Sequence, residues 1–245
     1  MVRVQPGESL PDSILIPRQF RGPAQSANGG YTCGTIAELV GADVVEVTLR
    51  KPPPLDVELT VARGADGWVE VIHGEQVVAE ARPSSLERDV PGAPSFEEAR
   101  RLSAERGDDP DHPFPGCFVC GPGRAPGDGL RLRPAPLGDG RLVAPWLVAP
   151  QFAGRRFAWA ALDCPGGWAV QPDASRGISV LGRLTARVLA PPDAGDECVV
   201  VGWPLGEPDG RRRFAGTALL RDGSVLAMAR AVWFEMDDDV RDPAR

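Results

Sequence analysis

The sequence Asn28-Gly29-Gly30 precedes a run whose apolar residues, beginning at Ile36, recur at helical spacing. Backbone N–H groups in the first turn of a helix have no partner within it and lie at the positive end of its dipole. They can therefore hold negative charge on an oxygen, and glycine allows that oxygen to approach closely. We interpret Gly29 and Gly30 as candidate oxyanion donors and Asn28 as a group that orients substrate or water. A plain helix cap followed by a glycine turn explains the same stretch.

Asp163 is the second candidate group. It follows a helix-compatible run at 157–162 and precedes Cys164-Pro165. An aspartate in a pocket can activate water as a general base or attack a carbonyl itself. Aspartate before proline is also a common helix cap, and this structural interpretation stays open beside the catalytic one.

The cysteines and histidines are too few for a firm metal prediction. Cys117 and Cys120 form a lone C-x-x-C pair, and a tetrahedral zinc site needs two further ligands. His112 and Cys164 could supply them, but the spacing does not require it. The sequence favours buried thiols that pack as small apolar groups, with no metal and no cofactor.

Composition limits the class of protein. The formal net charge of −7 argues against a general nucleic-acid-binding protein, because phosphate contacts need a basic surface. No apolar run is long enough to span a bilayer, and residues 1–6 lack the apolar core of a secretory signal. We therefore expect a cytoplasmic protein that binds neither nucleic acid nor membrane.

The elements that must position these groups occur twice. After the helix that starts near Asn28, four strand-like runs follow at 43–51, 55–63, 68–72 and 76–81. After the helix-compatible run at 157–163, four more follow, at 179–189, 197–203, 213–220 and 225–234. A proline-rich break follows the first strand both times, at 52–54 and at 191–192.

This pattern indicates an internal duplication. We predict an α+β fold of two repeats, at 1–82 and 114–245, each with a central helix wrapped by a curved antiparallel sheet. Residues 83–113 would be a linker that carries a short helix, begun by the capping box of Ser95 and Glu98. A short edge strand near 13–16 and two further strands, at 129–133 and 140–146, are also predicted.

Three stretches resemble the hotdog-fold superfamily in its double-hotdog form, and within it the PaaI-like acyl-CoA thioesterases. Asn28-Gly29-Gly30 resembles the His-Gly-Gly sequence at the start of the hotdog helix. Residues 117–121 followed by 129–132 are similar to the opening of PaaI-like domains. Residues 162–163 with 167–169 resemble the helix segment in which an acidic residue carries catalysis. The resemblance implies hydrolysis of an acyl thioester such as acyl-CoA.

The resemblance also implies substrate-binding residues. Arg155 and Arg156 could meet a phosphate of coenzyme A, and Trp159 could line an acyl pocket. Solvated turns are the favoured interpretation of such arginines, and core packing is the favoured interpretation of a helical tryptophan. Exposed strand edges make a homodimer a further expectation.

Each half departs from the family pattern. The acid of the family lies seven residues beyond the second glycine, where this chain has Ala37, followed by Glu38. The second half has Asp163 but Gly154-Arg155-Arg156 in place of His-Gly-Gly. We therefore predict one composite site, with glycines from the first half and the acid from the second. A noncatalytic module that binds an acyl or CoA group is the alternative. A hydratase fits less well, because no Asp and His pair has the required spacing.

Overall fold

One antiparallel sheet organises the part of the chain that the structure describes. This computed structural model describes residues 11–64, 67–87, 89–171, 178–237 and Asp242. Eleven strands within these ranges join in the order β1-β3-β4-β5-β2-β8-β11-β10-β9-β7-β6. The sequence predicted most of them, because apolar residues alternate or run continuously through them.

Up to residue 83, the described part of the chain supplies one α-helix and five strands. The elements are β1 (Ser13–Leu15), α1 (Gly29–Val40), β2 (Val44–Leu49), β3 (Glu58–Arg63), β4 (Val69–His73) and β5 (Gln76–Pro83). β1 pairs with β3 at one edge of the sheet, as predicted for 13–16. The turn predicted at 64–67 includes residues 65 and 66, which lie outside the described residues.

The described residues after β5 supply three α-helices and six strands. They are α2 (Phe96–Arg106), β6 (Ala135–Pro136), β7 (Leu142–Leu147), α3 (Arg155–Ala161), α4 (Cys164–Val170), β8 (Ile178–Val188), β9 (Glu197–Pro204), β10 (Arg212–Arg221) and β11 (Ser224–Met236). The predicted helix near 157–163 is thus two short helices, and Pro165 lies in the first turn of the second one.

The two halves of the sheet meet at β2 and β8. These strands pair antiparallel from Val44 opposite Arg187 to Thr48 opposite Arg183. Outward from this pair, the strand order is β5, β4, β3, β1 on one side and β11, β10, β9, β7, β6 on the other. The order of strands is therefore the same on both sides. The first strand after the helix, β2 or β8, is followed outward by the last strand of its set of four, β5 or β11. The third strand, β4 or β10, comes next, and then the second, β3 or β9.

Helix α1 is buried along nearly its whole length. Asn28 caps its start, since its side-chain oxygen accepts a hydrogen bond from the Tyr31 N–H at 2.9 Å. Gly41 ends it in the left-handed conformation at φ 69°, which glycine adopts without strain. Both ends agree with the prediction from the sequence. The helix packs against both α3 and the sheet, so almost all of its side chains are buried. A helix covered on several sides needs no strongly polar face, and the amphipathic pattern of α1 is accordingly weak.

Helix α2 covers the other face of the second half of the sheet. Ser95 caps it through the Glu98 N–H at 3.2 Å, as the capping box predicted. Ala99 is fully buried among apolar side chains of β7, β9 and β10, and Phe96 and Leu102 pack beside it. The segment predicted as a surface linker therefore also closes a second, smaller apolar core.

The strand predicted at 129–133 is wrong. Arg131 has a positive φ of 52°, which interrupts extended backbone. The Leu130 and Leu132 N–H groups instead donate to Phe118 O and Val119 O at 2.9 and 2.8 Å. The alternation of apolar and polar residues buries the two leucines against the 117–120 loop, outside the sheet.

Candidate active site

The N-terminus of α1 lies at the site, and one of its backbone N–H groups has no hydrogen-bond acceptor among the described residues. Gly29 is the first residue of the helix, and no residue in the described ranges accepts a hydrogen bond from its N–H. Asn28 is 2 % exposed, and both the oxygen and the nitrogen of its side-chain amide form hydrogen bonds. Its oxygen caps the helix, and its Nδ2 donates outward at 2.8 Å to a carboxylate from the other half of the chain.

That carboxylate belongs to Asp163, which lies between α3 and α4 and is 2 % exposed. Its Oδ2 accepts hydrogen bonds from the Gly30 N–H and from Asn28 Nδ2, both at 2.8 Å. Although Asp163 occupies the capping position of α4, its side chain makes no capping hydrogen bond. The helix-cap interpretation therefore does not explain its orientation.

The environment of Asp163 favours proton transfer near neutral pH. Burial raises the pKa of the carboxyl to about 7, although the hydrogen bonds from Gly30 and Asn28 oppose the rise. Its Oδ1 is buried and has no hydrogen-bond partner among the described residues. A carboxyl with this pKa and one unoccupied oxygen can accept a proton and return it.

Glycine at position 30 permits this close contact. A Cβ there would lie 2.5 Å from Asp163 Cβ and 2.8 Å from Trp159 O. One turn later, a Cβ at Gly34 would lie 2.8 Å from Trp159 Cβ. Small residues along one side of α1 thus let its backbone pack directly on α3, and this packing places Asp163 over the α1 N-terminus.

A cavity of about 1040 Å³ opens beside these groups. Asn28, Gly29 and Asp163 line it, whereas Gly30 lies behind Asp163 and is absent from its wall. The wall is mainly apolar and aromatic, which suits an acyl chain. Its aromatic lining residues are Phe114, Trp168, Phe214, Trp233 and Phe234.

Four basic side chains also line the cavity, and sequence reasoning assigned three of them no role. They are Arg50, Lys51, Arg183 and Arg212. Lys51, the one lysine of the sequence, is exposed and forms no ion pair with any described residue. Its position directly after β2 was visible in the sequence, but only the fold brings it to the cavity. Arg212 belongs to the run Arg211-Arg212-Arg213, which could meet a phosphate of coenzyme A, although a solvated turn was the favoured interpretation of the sequence.

The three residues predicted to bind substrate lie elsewhere. Trp159 is buried between α1 and α3, Arg155 donates to Val188 O at 3.1 Å, and Arg156 pairs with Glu38. None of them lines the cavity. Their contacts hold α3 in place, so the alternative interpretations, core packing and surface pairing, describe them better.

Three cysteines complete the wall. Cys117, Cys120 and Cys164 are buried thiols whose Sγ atoms all lie within 4.8 Å of one another, and each borders the cavity. They are the described residues best suited to hold a soft metal ion. Sequence reasoning considered this set but favoured apolar packing.

Comparison with solved structures identifies the fold. No protein-family model matches the sequence, and no curated protein matches it. A candidate thioesterase from Novosphingobium aromaticivorans is 14 % identical with a TM-score of 0.60, over 93 % of this chain and 97 % of that one. The acyl-CoA thioesterase II TesB2 of Mycobacterium marinum is 12 % identical with a TM-score of 0.56, over 94 % and 95 %.

A third structure carries the name of the fold. A protein of unknown function from Alicyclobacillus acidocaldarius, described as having a hot dog fold, is 13 % identical with a TM-score of 0.58, over 91 % of this chain and 92 % of that one. The chain thus has the hotdog fold, as its short motifs predicted, and its structural neighbours include thioesterases. None of the helices in the described ranges combines the length and apolar character needed to cross a bilayer.

Proposed function

We propose that the protein is an acyl-CoA thioesterase with one composite site. The observation that carries this proposal is the pair of 2.8 Å hydrogen bonds from Gly30 N–H and Asn28 Nδ2 to Asp163 Oδ2, at the wall of a large apolar cavity. The helix start and the acid are 133 residues apart in sequence. The names of the structural neighbours support the same reaction class.

The proposed reaction is attack of water on the thioester carbonyl. Asp163 Oδ1 accepts a proton from water as the water oxygen bonds to the carbonyl carbon. The resulting oxyanion is stabilised by the unpaired Gly29 N–H and by the positive end of α1. Collapse breaks the carbon–sulfur bond, and the departing thiolate takes a proton from Asp163. The products are a carboxylic acid and free coenzyme A.

Charge around the cavity supports a phosphate-bearing substrate. Lys51 has no carboxylate partner among the described residues, so it can pair with a phosphate without first breaking an ion pair. Arg50, by contrast, is bound to Glu80 at 2.7 Å. Arg212, on the same wall, pairs with Asp209 at 3.4 Å, so we assign phosphate recognition to Lys51.

We also propose that the two halves, 1–82 and 114–245, are hotdog repeats joined by the 83–113 segment. The matching strand orders about the β2–β8 pair support this interpretation. The position equivalent to the site would lie near Glu38 and Arg155, where Glu38 instead pairs with Arg156. In this view the second, pseudo-symmetric site is closed by an ion pair. Cytoplasmic location and a homodimer stay predictions; sedimentation analysis would test the latter.

The deciding experiment measures free-thiol release from a panel of acyl-CoA esters. Asp163→Asn keeps the size of the side chain but cannot accept the proton, so we expect kcat to fall about 10²–10⁴-fold. Asp139→Asn, at an exposed turn, is the matched control and should keep full activity. Equal turnover by wild type and Asp163→Asn would refute the assignment.

The alternative function, a noncatalytic module that binds an acyl or CoA group, has one observation in its favour. Gly30 N–H, predicted as an oxyanion donor, is already occupied by Asp163. If calorimetry shows that the wild type binds acyl-CoA while no thiol is released from any ester, the binding module is the correct function.

A further inference from the structure

The cysteine cluster has the dimensions of a metal site. Cys117 Sγ and Cys164 Sγ are 3.8 Å apart, and Cys120 Sγ lies within 4.8 Å of both. A tetrahedral zinc ion with Zn–S bonds of about 2.3 Å holds its sulfur atoms about 3.8 Å apart. The three thiols are free and buried, so small rotations of the side chains would bring all of them to one ion.

The turn that carries two of these thiols is preorganised. The Gly121 N–H donates to Cys117 O at 2.9 Å, which closes the turn between the two cysteines. A Cβ at Gly121 would lie 2.5 Å from both Cys117 N and Pro115 O, so this tight turn requires glycine.

The third thiol comes from a distant part of the chain. Cys164 is the first residue of α4 and directly follows Asp163. Its sulfur meets that of Cys117 at 3.8 Å, which as a thiol–thiol contact is a weak interaction. An ion at this point would join the 115–121 turn firmly to the start of α4 and would fix the position of the neighbouring aspartate.

His112 lies outside the group of ligand atoms that the three thiols form. Its Nδ1 accepts a hydrogen bond from the Phe114 N–H at 3.0 Å, so the proton of the neutral ring is on Nε2. That Nε2 is buried and has no hydrogen-bond partner among the described residues. The fourth position is left to the cavity, which all three cysteines border.

We propose that Cys117, Cys120 and Cys164 bind a Zn²⁺ ion as three thiolates, with the fourth coordination position open to the cavity. Each thiol releases its proton when it binds the ion. Sulfur ligands in tetrahedral arrangement select zinc over magnesium or calcium, which prefer oxygen. The ion stabilises the fold around Asp163, and this role is independent of the proposed thioesterase activity.

The first test uses the full wild-type chain. Protein purified under reducing conditions should contain zinc in stoichiometric amount by mass spectrometry. After removal of the zinc with a chelator, addition of Co²⁺ should produce thiolate-to-cobalt charge-transfer bands and the visible bands of a tetrahedral site. The chelated protein should also have a lower Tm, which Zn²⁺ restores, because an ion bound only to the folded state stabilises it.

Matched variants locate the ligands. Cys117→Ser and Cys164→Ser should lose the cobalt spectrum, whereas Cys33→Ser and Cys198→Ser, at buried cysteines outside the cluster, should keep it. His112→Gln should keep metal stoichiometry and the cobalt charge-transfer bands. The proposal is overturned if wild-type apoprotein takes up neither ion. It is also overturned if Cys33→Ser or Cys198→Ser reduces the cobalt spectrum as much as Cys117→Ser and Cys164→Ser do. The wild-type spectrum stays decisive even if a variant fails to fold, and neither outcome requires a measurement of activity.

Discussion

At the residue scale, Asn28 has two separable tasks. Its oxygen caps α1 through Tyr31, and its amide nitrogen orients Asp163. Few side chains do both, because the first task needs an acceptor and the second a donor. Serine at a helix start can perform the first task alone.

Asn28→Ser should therefore keep the helix but weaken catalysis. A lost hydrogen bond to a charged group is worth about 1.5–3 kcal/mol, which corresponds to a decrease of about ten- to hundredfold in kcat/KM. Asn28→Ala should lose a similar factor in activity and, in addition, about 1 kcal/mol of stability from the missing cap. Thiol-release kinetics with urea unfolding of both variants measure the two effects. Equal kinetics for wild type and Asn28→Ser would mean that the amide does not position Asp163.

The sequence indicated which residues form the site, but it did not indicate which of them contact one another. Asn28 and Gly41 were predictable as the ends of α1, because capping depends on neighbouring residues alone. The fate of Gly30 N–H was not predictable, since its partner is Asp163 and only the packing of α1 on α3 brings the two together. The motif resemblance identified Gly30 and Asp163 as candidate site residues, and their contact is known from the fold alone.

At the element scale, the site depends on how closely α1 and α3 approach. Gly30 and Gly34 are one helical turn apart, and each faces backbone or Trp159 of the opposite helix. Counting residues around a helix gives its faces but does not show which face meets a partner. This is why Trp159, which looked like a pocket residue in the sequence, lies in the helix contact instead.

Gly30→Ala should be destabilising although alanine favours helices over glycine by about 1 kcal/mol. The new Cβ would lie 2.5 Å from Asp163 Cβ and 2.8 Å from Trp159 O, and overpacking of this kind costs about 1–3 kcal/mol or more. Activity should fall with it, because Asp163 must move. Gly92→Ala, where a Cβ meets nothing within 4 Å, is the control for urea unfolding midpoints. A Gly30→Ala variant as stable as Gly92→Ala would contradict the close contact.

At the scale of the whole molecule, one nearly buried carboxylate ties both halves together. Glu46 of β2 binds Arg82 of β5 at 2.7 Å and accepts from Thr185 of β8 at 3.2 Å. Arg183 of β8 and Arg230 of β11 lie 3.9 and 3.7 Å away. Burial by itself would raise the pKa of Glu46, but the hydrogen bond and charge of Arg82, with the charge of Arg183, lower it below its ordinary value of 4.5.

Stability should therefore depend on Glu46 in acid. Because its folded-state pKa is the lower one, its contribution is complete above about pH 4.5 and is lost as the pH falls through the folded-state value. Glu46→Gln should be less stable than wild type at neutral pH, and the difference in unfolding free energy should shrink on acidification. Chemical unfolding at several pH values measures it, with exposed Glu58→Gln as the control. A difference that stays constant down to strong acid would show that charge is not the cause.

Most of the strands were predictable from the sequence because turn residues and alternation mark each strand locally. The failure at 129–133 has a local cause too, since the positive φ of Arg131 cannot be read from its residue type. The joining of the halves through β2 and β8 could not be read at all, because both strands look like ordinary half-buried strands.

The pairing of β2 with β8 has a consequence for a chain that is divided within residues 83–113. Each fragment would keep its own helix and strands but would expose the backbone donors and acceptors of its junction strand. A fragment of either half should then associate with a second copy of itself through that strand. In a mixture of both fragments, β2 of one should pair with β8 of the other. Only this mixed pair brings Asp163 to the start of α1.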